Sequence, residues 1–226
     1  MYPNIKQRAK DIMKTDLVNM LIGSGIFAVV NMLAAILNTN YLGSVISGLL
    51  TTLASACAAC FYFRAYNRGR GDVYDTYALF TDSVHFSKAT ALMFAMWIVN
   101  TLISMLTTVL AVIPLVGVIA SLIITIVVTF LLRIVWYLFF ANPQYPTGHY
   151  LKGSAEYMGG NFVNLLVFSF SVSFVPALIE IAVSMFVGGR IADILCLPLD
   201  AYVNLAMAGF FAQLIPDRWY NGTAMF

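Results

Sequence analysis

Three observations predict an all-α polytopic membrane protein. Of 226 residues, 61% are hydrophobic and only 10% charged; long stretches carry no charge at all; and the remaining charges gather between those stretches. Soluble domains average about 25% charged residues. The most telling stretch is residues 89–132, between Lys88 and Arg133, where 44 residues are interrupted only by Ile113-Pro114-Leu115-Val116-Gly117. A helix rises about 1.5 Å per residue and the hydrocarbon core of a bilayer is about 30 Å thick, so this run crosses it roughly twice. It reads as a helical hairpin. Counted against it, the whole chain (1–226) forms a single transmembrane domain of six helices. They make three hairpins, each preceded by a short amphipathic interfacial helix. The expected spans are residues 17–37, 42–63, 90–112, 115–139, 162–187 and 196–215.

The first 16 residues hold Lys6, Arg8, Lys10 and Lys14, with Ile5, Ala9, Ile12 and Met13 at helical spacing on the other side. This is a basic amphipathic helix suited to an anionic membrane surface. It does not read as a signal peptide, because the apolar run behind it is long enough to span and no small-residue cleavage site ends it. From residue 17 to 63 there is again no charge, and Asn38-Thr39-Asn40 divides the run into two spans. In the second of these, Gly43, Ser47, Thr51, Ser55 and Ala59 recur every four residues. Such a stripe lets another helix approach closely where lipid supplies no hydrophobic drive.

The connection from Arg64 to Lys88 is a basic loop. Asp72 then reads as an N-cap for an interfacial helix carrying Val73, Tyr77, Phe80 and Val84 on one face. After the central hairpin, Asn142-Pro143 ends the fourth span. Residues 146–158 form a third amphipathic helix, stopped by Gly159-Gly160. The fifth span begins at Phe162, and the sixth ends at Pro216, before Asp217 and Arg218. Ten of the twelve basic residues fall on one side of this scheme. The positive-inside rule then places both termini in the cytoplasm of a multi-pass cell-membrane protein.

Several segments resemble a known family. Ile5-Lys6-Gln7-Arg8-Ala9-Lys10, Asn67-Arg68-Gly69-Arg70-Gly71-Asp72 with Phe80, and Phe140-Ala141-Asn142-Pro143 are similar to a bacterial six-helix integral membrane family, domain of unknown function 975. So are Glu156-Tyr157-Met158-Gly159-Gly160-Asn161 and the stretch from Leu197-Pro198 to Phe211. Gly159 and Asp200 depart from that pattern, which has a basic and an aromatic residue there. The resemblance implies a bacterial plasma membrane and six spans, and no reaction, substrate or catalytic residue.

Ionisable groups at membrane depth are the default functional candidates. Arg133 lies about 18 residues into its span, roughly 27 Å down, at the inner interface. There it snorkels beside Trp136 and Tyr137, so Arg133 and Trp136 read as inner-interface anchors. Glu180 falls near the outer surface unless a kink at Pro176 holds it deeper, and Arg190, Asp193 and Asp200 follow on the same side. The plain reading of these four is a salt bridge of Glu180 or Asp193 with Arg190 and a solvated Asp200. The sharper one is an outward-facing acidic pocket, closed by breaks at Pro176 and Pro198, that receives a cation or a basic peptide.

Cys57 and Cys60 have the spacing of a redox or metal pair, but they lie in an apolar run with no further Cys or His, and Cys196 is apart, so buried reduced thiols are expected. His-Glu-x-x-His, Gly-x-Ser-x-Gly and phosphate-cradling glycine loops are missing from the sequence. His85 and His149 fall in separate amphipathic segments, and Asn221-Gly222-Thr223 has no meaning as a glycosylation acceptor on a cytoplasmic tail. The expectation is no enzyme, no cofactor and no metal. The basic loop points to anionic lipid at the cytoplasmic face, not nucleic acid.

Two functions remain. One is a non-enzymatic scaffold or accessory subunit that docks a membrane-protein partner, or a second copy, through the stripe and the amphipathic helices. The alternative is a small permease or channel using the acidic pocket of the third hairpin. A permease needs polar groups at mid-depth on several helices; Asn19, Asn31, Asn100 and Asn164 are scattered singly, which favours the scaffold.

Overall fold

The computed structural model describes residues 2–38, 40–81, 83–113 and 116–215. Met1, Thr39, Asp82, Pro114, Leu115 and everything from residue 216 on, with the side chains of Tyr2, Tyr41, Ser83, Val84 and Arg190, lie outside the described residues. The described chain is helical throughout, without strands. It comprises α1 (Tyr2–Thr15), α2 (Leu17–Leu37), α3 (Tyr41–Arg68), a 3-10 helix (Val73–Phe80), α4 (Ser83–Leu110), α5 (Val116–Ala141), α6 (Thr147–Val187), α7 (Gly189–Leu195) and α8 (Leu197–Leu214). Five of these, α2 to α6, are long and apolar enough to cross a membrane.

Local chemistry fixes the helix ends. The Asn40 side chain accepts from the Gly43 N–H at 2.7 Å and so caps α3. Gly69 ends α3 in the left-handed region, at φ 76°, where a Cβ would be strained. Asp72 caps the following turn by accepting from Tyr74 N–H at 3.0 Å.

The chain doubles back repeatedly between two ends. At one, the basic end, lie α1 and its junction with α2, the end of α3, the 3-10 helix, the end of α5 and the end of α8. At the other, the turn end, lie the α2–α3, α4–α5 and α6–α7 connections. α2 packs on α3, α4 on α5, α5 on α6, and α8 runs among α1, α2, α3, α5 and α6. The buried core is concentrated at the basic end. It includes Phe61, Phe63, Leu138, Phe139, Phe140, Phe210 and Phe211.

Three features depart from the sequence reading. The interfacial helix expected after Asp72 is an eight-residue 3-10 helix ending at Phe80, and residues 83–88 belong instead to α4. The helix expected over 146–158 is not separate: α6 runs unbroken through Gly159-Gly160 and Pro176 for 41 residues. Two glycines cost a helix about 2 kcal/mol together, which a 41-residue helix with turns formed on both sides carries, since propagation adds one bond per residue. The α1 face read as lying on lipid is covered by protein. Ile5, Ala9, Ile12 and Met13 are buried as α1 packs along α8, and Lys10 and Lys14 remain exposed.

Candidate functional site

Polar side chains collect in two places. At the basic end they form a lattice that satisfies itself. Asp75, 4% exposed, accepts from Arg64 at 2.6 Å through one carboxylate oxygen and from Arg68 at 3.0 Å through the other. Asp16 accepts from the Gly71 N–H at 2.6 Å and from the Asn19 amide at 2.8 Å. Arg8 donates to the Tyr66 and Asn67 carbonyls, at 2.8 and 3.1 Å, while its guanidinium sits 4.8 Å above the Tyr66 ring. A cation there complements the negative end of α3. Lys88 donates to the Pro143 carbonyl at 3.1 Å and ties α4 to the end of α5. Arg8, Arg64, Arg68 and Lys88 thus hold protein groups rather than standing free for a ligand.

The second place is a cavity of about 1020 Å³ between α2, α3, α4, α5, α7 and α8. Each helix contributes one face in helical register. On α2 the lining runs through Ser24, Phe27, Asn31 and Ala35; on α3 through Thr51, Ser55, Ala58 and Tyr62; on α5 through Thr129, Arg133, Trp136 and Tyr137. Met96 and Asn100 line it from α4, and Asp193, Leu197, Asp200 and Asn204 from α7 and α8. The last four stand at i, i+4, i+7 and i+11, one face carried across the α7–α8 break.

That break lies at Cys196, whose carbonyl accepts from both the Leu199 and Asp200 N–H groups, at 2.8 and 3.1 Å. Pro198 occupies the first turn of α8, where its missing N–H costs nothing. Of the two breaks expected from proline, therefore, Pro176 makes none and Pro198 follows one. Asp193 and Asp200 flank it.

The cavity is closed toward the basic end. Tyr62 and Ser24 share a buried hydrogen bond of 2.7 Å, and beyond them Phe61 to Tyr66, Ile134 to Ala141 and Leu205 to Phe211 are nearly all packed in the core. Toward the turn end the lining continues to Ile36, one residue from the end of α2.

Of the residues singled out in sequence, Asp193, Asp200 and Arg133 come together in this cavity, with Asn31 and Asn100. Glu180 is half-buried on α6 outside the lining, within electrostatic reach of Asp200. The expected Arg190 salt bridge rests on a side chain outside the described residues. Of the expected interface anchors, Arg133 lines the cavity, and Trp136, 4% exposed, packs against Phe139 and Phe140.

The small-residue stripe does not act as one packing face. Gly43, Ser47 and Ala59 are buried, but Thr51, Ser55 and Ala59 wall the cavity, leaving space because their side chains are short. Close approaches on α3 come at Gly43 on the stripe, where a Cβ would run into the Leu37 carbonyl at the end of α2, and one residue off the stripe at Gly48, where a Cβ would stand 2.8 Å from Trp97 Nε1. Thr51 and Ser55 donate back to the Ser47 and Thr51 carbonyls at 3.0 and 2.8 Å, so their hydroxyl oxygens face the cavity as acceptors. Asn204 and the Tyr62–Ser24 pair escaped the sequence reading. Asn204 follows Asp200 by four residues, so one shared helical face was the available signal.

No family model, curated protein or solved structure matches the chain. The site therefore stands on its own geometry. Cys57, Cys60 and Cys196 are buried free thiols.

Proposed function

We propose that the protein is a small permease. In this reading it has six spans in three hairpins, with α7 and α8 together forming the sixth span across the Cys196 break. Both termini are cytoplasmic, supported by ten of twelve basic residues falling on one side of the scheme of spans read from the sequence. The polar cavity then opens to the outside. The observation that carries this reading is the convergence of Asn31, Asn100, Arg133, Asp193, Asp200 and Asn204, from α2, α4, α5, α7 and α8, on one cavity. Polar groups on several helices are what a permease needs and a scaffold does not. The sequence-based preference for a scaffold rested on those asparagines being scattered, and Asn31 and Asn100 face each other's cavity instead. A helix interrupted beside two carboxylates is also a common way to line a transport site.

Two measurements test it. In a chain lacking Cys57, Cys60 and Cys196, Asn100→Cys should react with a membrane-impermeant maleimide added outside intact cells, whereas Gly148→Cys, exposed near the start of α6, should react only after permeabilisation. The reverse pattern removes the outward cavity. Proteoliposomes should then swell in iso-osmotic solutions of small polar solutes faster than protein-free liposomes; equal rates for every solute would return the protein to the scaffold class.

A further inference from the structure

The cavity holds charges of both signs that nothing described in the molecule neutralises. Arg133 on α5 makes no hydrogen bond or ion pair with a described residue, and neither do Asp193 on α7 and Asp200 on α8. Asp193 and Asp200 are exposed on the cavity wall and Arg133 is half-buried there, so each keeps its charge available to a solute in the cavity. The same lining includes Asn31, Asn100 and Asn204, whose amides both donate and accept.

We infer that the permease site takes a small zwitterion, its anionic group on Arg133 and its ammonium on Asp193 and Asp200. This rests on the outward-cavity reading and adds its substrate class. A cation alone leaves the guanidinium unmatched; an anion alone leaves two carboxylates unmatched, with Glu180 adding to their field. A solute bearing both groups answers each in one event. Arg133 offers a planar fork suited to a carboxylate or phosphate, and the ammonium needs only oxygen acceptors, which Asp193, Asp200 and the Thr51 and Ser55 hydroxyls supply. At about 1020 Å³ the cavity exceeds a single amino acid, so the two charges of the solute are held apart by a spacer or the remaining volume is water.

The probes are ω-amino carboxylates of increasing length (glycine, 4-aminobutyrate, 6-aminohexanoate) against butylammonium and butyrate, read by the thermal unfolding midpoint of the full chain in mild detergent. At least one amino carboxylate should raise the midpoint with a half-saturating concentration about tenfold below that of either singly charged compound, a difference of about 1.4 kcal/mol. Arg133→Gln and Asp200→Asn should each remove that advantage. The charge-conserving Arg133→Lys and Asp200→Glu should retain part of it, which guards against variants that merely unfold. The inference is overturned if butylammonium or butyrate works as well as every zwitterion, or if no zwitterion shifts the midpoint. The same zwitterion should slow maleimide labelling of Asn100→Cys. Labelling without any protection sinks the zwitterion and spares the cavity, whereas absence of outside labelling sinks the cavity itself.

Discussion

The two ends of the bundle are built from the same apolar helices and pack quite differently. At the basic end, rings interlock: Tyr137 stacks on Phe211 at 4.7 Å, Phe168 on Phe210 at 4.9 Å, and Phe63 meets Tyr137 edge-on at 5.6 Å. Gly209 lets Tyr66 lie directly against the α8 backbone. At the turn end, α4 and α5 carry Leu102, Met105, Val109, Ile119, Leu122 and Ile123, all exposed. Only 17% of the apolar window of either helix is buried inside the protein. Lipid is as good a neighbour for a valine as another valine is, so in a membrane apolar character alone does not bring helices together. Shape does, through rings set against glycines and through rings set against rings. Where that fit ends, just past Tyr62 and Tyr137, the helices part and the cavity begins.

The comparison can be broken most directly by truncating one side chain at each end. Phe211 is 0% exposed, and Phe211→Ala should cost about 3–5 kcal/mol. Ile119 is 51% exposed, and Ile119→Ala should change stability by less than about 0.5 kcal/mol. Chemical unfolding in mixed micelles measures both; similar losses would mean that the turn end is packed as tightly as the basic end.

A second variant asks whether the polar lattice reinforces the aromatic one. Asp75→Ala leaves Arg64 and Arg68 without their shared carboxylate and should cost about 3 kcal/mol, the lower part of the range for buried pairs because the Arg68 side chain is 34% exposed. Circular dichroism melting of the variant checks this, and a loss under 1 kcal/mol would assign the stability of this end to the rings alone.

The finest test sets two glycines against each other. A Cβ on Gly209 would enter the space of the Tyr66 ring, so Gly209→Ala should destabilise by about 1–3 kcal/mol. Gly159 has nothing within 4 Å of its would-be Cβ and lies inside α6, so Gly159→Ala should stabilise by about 0.5–1 kcal/mol. The same melting experiment reads both, and like signs would contradict the shape argument.

The helices were legible because an uncharged run has one reading in a bilayer, and α2 emerges from 17–37 with no help from its surroundings. The interfacial helices were less so. Residues 146–158 and 162–187 join into α6 because Gly159-Gly160 lowers helix propensity without forbidding helical dihedrals, so a helix formed on both sides carries through it. The fate of the α1 apolar face was also beyond local periodicity, since a stripe of Ile5, Ala9, Ile12 and Met13 suits a membrane or a protein groove equally well. At the cavity, Asp193 and Asp200 announced themselves as charges in an apolar chain. Their meeting with Arg133, Asn31 and Asn100 depends on how helices far apart in sequence turn toward one another, which spacing within any one helix does not encode.

The seat of α1 has a consequence for how the protein is made. Among the described helices α1 is made before the others, yet it packs along α8, which is made after them. About 200 residues separate them, which at about 5–20 residues per second is roughly 10–40 s of synthesis. Throughout that interval α1 has its contacts with α2 and α3 but lacks its larger one, with α8. The apolar side of α1, with Ile5, Ala9, Ile12 and Met13, therefore gains its full protein cover only once α8 has been made.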